Sequence, residues 1–209
     1  MPTYLHKLLR MRLEGKEVVS TTELADYMNI ELIVVRKDIM LTGVSGRRRV
    51  GYDINDLINH IMSFLGWEQT IRATLIGAGA LGAALLGYDD FSRYGLLIES
   101  VFDCDSSKIG QEIRGHEIYD IATIRTRLKL ARPDIAIICV PNLSAQLVAD
   151  QVISLGIRYI WNFANVCLQV PENVIVQREV IAGGLAMLSV KMKYDRNQLA
   201  DARALEAES

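Results

Sequence analysis

At 209 residues the chain holds one large domain or two small ones, which excludes a long repeat array and a large multidomain enzyme. Half of the residues are hydrophobic and 23% are charged, an ordinary globular composition that excludes disorder of the whole chain. A formal net charge of −2 excludes a global positive field, so any binding to nucleic acid has to come from a local patch.

The opening stretch MPTYLHKLLRMRLEGK is too polar for a signal peptide, and no apolar run approaches the roughly 18 residues of a membrane span. Cys104, Cys139 and Cys167 are far apart, lie in apolar segments and lack metal-ligand spacing, which fits a reducing compartment. These features read as a soluble cytoplasmic protein. Within it, Tyr4, Leu5, Leu8, Leu9 and Leu13 recur at helical spacing until Gly15 stops the run. Ser20 or Thr21 followed by Glu23 marks a second helix start, because a hydroxyl caps free amides and the carboxylate suits the positive helix end. That helix ends near Asn29. LIVVRKDIM then reads as a third helix with Val35 and Ile39 inward and Arg36 and Lys37 outward. GVSGRRRVGYD places glycines at a turn beside a basic, strand-competent stretch, a wing carrying Arg47, Arg48 and Arg49, and a helical run from about Asp53 to Leu65 follows. Arg36, Lys37 and these three arginines form a compact basic patch with Asp38 as the acid between them. A helix, a turn, a second helix with basic residues and a basic wing suit insertion into a major groove with phosphate and minor-groove contacts. The plainer alternative is a solvated basic loop.

The pattern changes from Thr70. IRATLI, LLIESVFDCD, PDIAIICVP and LGIRYIWNFA read as four strands, with helices at about 79–87, 120–130 and 142–155 between them. This alternation predicts an α/β fold with a doubly wound parallel sheet. The expected domains are a winged helix over 1–66, a Rossmann-like domain over 67–180 and a C-terminal helix with an exposed tail over 181–209.

Gly77, Gly79 and Gly82 form G-x-G-x-x-G directly after the first of these strands, with Ala78, Ala80 and Leu81 between the glycines. Asp103 follows at the end of the second strand. Glycines at this spacing allow a tight turn and the close approach of a pyrophosphate to backbone amides, and an acid at this offset accepts the adenosine ribose hydroxyls. Asp103 would accept both hydroxyls and repel a 2′-phosphate, which favours NAD(H) over NADP(H). The alternative is that the glycines serve only helix–strand packing. Catalytic groups are thin: His6, His60 and His116 have no nucleophile or carboxylate at triad spacing, and His116 falls on a connecting loop. Cys139 reads as a buried strand residue, and Cys104, next to Asp103, reads first as a packing residue, with contact to the cofactor site as the alternative.

In this order and spacing, VRKD, RRVGYD, GAGALG, FDCD, CVP and NFA resemble the Rex family of redox-sensing transcriptional repressors, from about Tyr4 to Ser189. The resemblance implies a homodimer with swapped C-terminal helices, each lodged between the partner's two domains. It also implies a palindromic double-stranded DNA operator from which NADH releases the protein. Arg36 and Lys37 would lie on the recognition helix and Arg48 in the wing, with Gly77, Gly79, Gly82 and Asp103 around the cofactor. Tyr88 matches a family tyrosine that takes part in the redox switch and joins the cofactor-site candidates.

The chain also departs from the pattern. His6 stands for a first-helix arginine and Val180 for an aspartate that alternates between that arginine and the tyrosine, so the switch contact cannot form as in the family. Ile181 replaces an aromatic residue beside the nicotinamide, which implies weakened or altered redox discrimination. Met40, Leu41 and Thr42 replace Ser-Tyr-Phe, Arg49 replaces a wing glycine, and the basic arm before the first helix is missing. Two rival functions remain at this level: a dinucleotide-binding paralogue acting through a protein partner, and an NAD-dependent oxidoreductase with an appended helical domain.

Overall fold

The computed structural model describes residues 1–207, with the backbone alone for Leu130 and for residues 198–207. Glu208 and Ser209, the end of the expected exposed tail, lie outside the described residues. The elements run α1 (Pro2–Leu13), β1 (Val18–Val19), α2 (Thr21–Met28), α3 (Leu32–Leu41), β2 (Tyr52–Asp53), α4 (Ile54–Phe64), β3 (Ile71–Ile76), α5 (Ala80–Leu86) and α6 (Asp90–Arg93). They continue with β4 (Leu96–Asp103), β5 (Glu112–Ile113), β6 (His116–Asp120), α7 (Ile124–Ala131), β7 (Ile135–Ile138), α8 (Asn142–Ser154), β8 (Tyr159–Asn162), β9 (Ile175–Arg178) and α9 (Ala182–Ala207). By contact the chain forms two compact units, 1–72 with 88–97, and 73–87 with the remainder from Ile98.

The first unit is helical with a small β element. Tyr4, Leu5, Leu8 and Met11 fill the buried side of α1. Leu13 is exposed, against the expectation from its spacing, because five residues beyond Leu8 carry it about 140° around the helix. Met11 takes the inward position. Ser20 caps α2 as predicted, its Oγ accepting from the Glu23 amide at 3.1 Å. Asp53 does the same for α4, accepting from the amides of Asn55 and Asp56 at 2.9 and 3.0 Å. The wing closes through backbone bonds between Arg47 and Gly51, 2.7 and 3.0 Å. Its descending limb then pairs antiparallel with β1, Val18 opposite Asp53 and Val19 opposite Tyr52. Val35, Ile39, Ile54, Leu57 and Ile61 complete the core with α1. Trp67 stacks on Tyr94, ring centroids 4.7 Å apart, which fastens the 88–97 segment to this unit.

The second unit carries most of a seven-stranded sheet of order β5-β6-β4-β3-β7-β8-β9. The β4–β6, β3–β7, β7–β8 and β8–β9 ladders are parallel, and β5 is antiparallel to β6. Without the β5 appendage this is the doubly wound 3-2-1-4-5-6 arrangement, whose strand order reverses between β3 and β7. Sequence periodicity misses β5, β6 and β9, which are short, lie toward the sheet edges and are too polar to form an apolar run. His116 therefore opens a strand, paired with Ile113, instead of lying on a loop. Ile76, Phe102, Ile124, Ile138, Ala149 and Val152 form the core on one face of the sheet. Helix α9 exposes Leu185, Met187, Leu188, Val190, Met192 and Tyr194.

Candidate functional site

A cavity of about 580 Å³ opens at the carboxyl ends of β3, β4 and β7, where an open α/β sheet of this order holds its ligands. The glycine loop forms one wall. Gly77 has φ 103°, a conformation that favours glycine, and a Cβ there would stand 2.5 Å from the Cys139 carbonyl oxygen. A Cβ on Gly82 would meet the Gly77 carbonyl oxygen at 2.1 Å, so Gly82 lets α5 close onto the loop. Gly79 differs from both. It lines the cavity, and a Cβ on it would enter open space with nothing within 4 Å. Two of the three glycines thus serve packing, and one leaves a cradle for a ligand.

Asp103 ends β4 at the cavity wall and is buried. Its carboxylate accepts from the amides of Ala78 (2.8 Å) and Asp105 (2.9 Å) and from Lys108 Nζ (3.1 Å). Burial pushes its pKa up, but these hydrogen bonds outweigh that and hold it below the ordinary carboxylate value. A carboxylate offers about four acceptor positions, and three are taken, so one is left for a ribose hydroxyl. The expected reception of both hydroxyls requires Lys108 to give way. Lys108, raised above its ordinary pKa chiefly by its bond to Asp103, also sits 3.7 Å from Asp105.

Of the other sequence candidates, Ala78 is buried and gives its amide to Asp103, while Ala80 and Leu81 form the first turn of α5. None of these three lines the cavity, and neither does Tyr88, which packs edge-on against Phe91 in the first unit. Cys104 is exposed and Cys139 half-buried just beyond β7; both line the cavity, where burial pushes the Cys139 thiol up to about 12. Sequence reasoning missed Asp105, Lys108, Ser144 and Leu147 as cavity residues. A signal for the first two was present in DCDSSK, because an acid at the ribose offset with a second acid and a lysine close behind brings charges to one strand end.

The basic candidates all lie in the first unit. Arg36 and Lys37 are exposed on α3, and their neighbour Asp38 is held by the Tyr4 hydroxyl at 2.7 Å. Arg47, Arg48 and Arg49 are exposed along the wing. Arg49 has φ 64°, a left-handed conformation that favours glycine, the residue that the resemblance implies at this wing position.

A winged helix joined to a doubly wound sheet with a glycine-loop cavity defines the class of DNA-binding regulators that carry a Rossmann-type sensing domain. The model of a putative DNA-binding protein N-terminus matches residues 1–39, and that of a CoA binding domain matches residues 68–166. The redox-sensing transcriptional repressor Rex of Treponema denticola is 42% identical, over 92% of this chain and 91% of its own. Rex of Clostridium botulinum strain Alaska E43 is 35% identical, over 94% and 93%. Among solved structures, RSP in complex with β-NAD⁺ and operator DNA superposes with a TM-score of 0.82 at 29% identity, covering 95% of this chain and 92% of that one. Its complex with β-NADH gives 0.83 at 28% identity, over 95% and 93%. The chain belongs to the Rex family of redox-sensing transcriptional repressors. Among the described residues no helix is long and apolar enough to cross a membrane.

Proposed function

We propose that this protein is a homodimeric transcriptional repressor that binds NAD(H) at the Gly77–Gly82 loop and a palindromic operator through its winged helix. The observation that carries this reading is the cavity at the switch point, with Gly79 open toward it and Asp103 fixed beside it. The residues fit a dinucleotide. Gly79 leaves room for a pyrophosphate against the loop, Asp103 keeps an acceptor position for a ribose hydroxyl, and Ile121, Val140 and Leu147 supply apolar wall. NAD(H) would bring the redox state of the cell to this site, and the chain's own residues bind and orient it without a chemical step. Arg36 and Lys37 would enter the major groove, with Arg47, Arg48 and Arg49 along the backbone and minor groove. The apolar side chains exposed on α9 are the surface that a second copy would cover.

A ligand shifts a two-state equilibrium only through differential affinity for the states. The family contact that distinguishes them needs a carboxylate where this chain has Val180 and a cation where it has His6. NADH and NAD⁺ therefore change operator affinity here by less than about tenfold.

Selection of bound sequences from random DNA by the purified protein, repeated with NADH, NAD⁺, NADPH and coenzyme A, tests the whole reading. A palindrome should emerge, and calorimetry should rank NADH and NAD⁺ above the other two. No selected sequence, or equal affinity for coenzyme A, refutes it. Release from the operator by NADH more than a hundredfold better than by NAD⁺ refutes the weakened switch.

A further inference from the structure

Helix α3 buries Val35 and Ile39 completely, yet Ile33, Val34, Met40 and Leu41 are 50%, 42%, 71% and 63% exposed. Arg36 and Lys37 lie among them. With 3.6 residues per turn, Ile33, Arg36, Lys37 and Met40 fall on one strip, with Val34 and Leu41 together along one edge of it. A solvated helix face is ordinarily polar, whereas this one sets four large apolar side chains around two cations. Among the described residues neither cation pairs with a carboxylate, and the neighbouring Asp38 accepts from the Tyr4 hydroxyl. The helix's exposed acid, Glu31, stands at its N-cap, at the far end from Met40 and Leu41.

A partner for this strip has to present negative charge and isolated apolar groups at the spacing of a helix. The major groove of B-form DNA does so: phosphates and guanine edges receive Arg and Lys, and the thymine C5-methyl is the apolar group on its floor. Resting on the operator-binding reading above, we infer that Ile33, Met40 and Leu41 read thymines in each half-site by burying their 5-methyl groups, beside the contacts of Arg36 and Lys37. Part of this protein's sequence preference is thus apolar and independent of salt, unlike its phosphate contacts.

Deoxyuridine in place of deoxythymidine keeps every hydrogen-bonding edge and removes only the methyl. The test measures the affinity of the full-length protein at fixed salt for its selected operator, with thymidines replaced one position at a time. At one or more positions in each half-site the replacement should weaken binding by about three- to fivefold per methyl, the effect of one buried methyl-sized group. Met40→Ala or Ile33→Ala should weaken the parent operator and make binding indifferent to deoxyuridine at the matching position. The slope of affinity against salt should be the same for both DNAs. An operator fully substituted with deoxyuridine that binds as tightly as the parent overturns the inference while leaving operator binding intact. So do Ile33, Met40 and Leu41 alanine variants with unchanged affinity, which would mark the strip as a surface for another protein. A parent protein that selects no sequence overturns both this inference and the reading it rests on.

Discussion

Alanine at Gly79 and at Gly82 should separate ligand binding from folding. At Gly79 the backbone is extended, φ −82° and ψ −168°, and an added Cβ meets nothing within 4 Å. Alanine there fits the fold, and the entropy it removes from the unfolded chain offsets its poorer service as the N-cap of α5, so stability should change by less than about 0.5 kcal/mol. The same methyl enters the cavity where, in the proposed binding mode, the pyrophosphate would approach the loop. Losing one hydrogen bond to a charged group costs about 1.5 to 3 kcal/mol, so NADH affinity should fall about 10- to 150-fold. At Gly82 the Cβ would lie 2.1 Å from the Gly77 carbonyl oxygen, and backbone must move by roughly 1 Å to restore ordinary contact. Such overpacking costs about 1 to 3 kcal/mol and displaces the loop, so stability and affinity should fall together. Urea unfolding and calorimetric titration of NADH measure the two quantities on each variant. Gly79→Ala binding NADH as the parent does, or unfolding as early as Gly82→Ala, would refute the division of labour among the three glycines.

Asp103→Ala leaves the buried Ala78 amide without its acceptor and should cost about 1 to 3 kcal/mol in urea unfolding and at least tenfold in NADH affinity. Because the folded pKa of Asp103 is lowered, its stabilisation is present above the unfolded value of about 3.9 and is lost as pH falls through the folded value. The variant should therefore lose less stability than the parent on acidification below about pH 4, and an unchanged acid limb would count against the assignment. Tyr4→Phe removes the hydroxyl that ties α1 to Asp38 on α3 and should cost about 1.5 kcal/mol by chemical denaturation. Burial raises the Tyr4 pKa above about 10, so this contribution is present below that value and fades as pH rises through the folded one. The phenylalanine variant should lack that alkaline loss. Arg49→Gly relieves a positive φ, which should raise stability by about 0.5 kcal/mol once the entropy of glycine is subtracted. Operator affinity should fall in the same variant and the salt slope should drop by about one, measured by titration at several salt concentrations.

The local rules were legible in the sequence wherever a residue acts on near neighbours. Ser20 and the helix it caps, Val35 and Ile39 on the inward side of α3, the apolar runs of β3, β4 and β7, and the glycine loop followed by Asp103 follow from hydrogen bonding and periodicity within a few turns. Family membership was equally legible, because the order of motifs spans the chain.

What required the tertiary structure is what depends on residues distant in sequence. Val140, Ser144 and Leu147 reach the cavity because the strand order reverses between β3 and β7, which no local pattern encodes. The outer strands β5, β6 and β9, of which β5 and β9 are the edges, form because a neighbouring ladder offers hydrogen bonds, and their own sequences carry too few apolar side chains to announce it. The roles of the three glycines likewise divide only once Cys139, just beyond β7, and the Gly77 carbonyl are in place, since whether a missing Cβ means packing or an open cradle is decided by what stands opposite it.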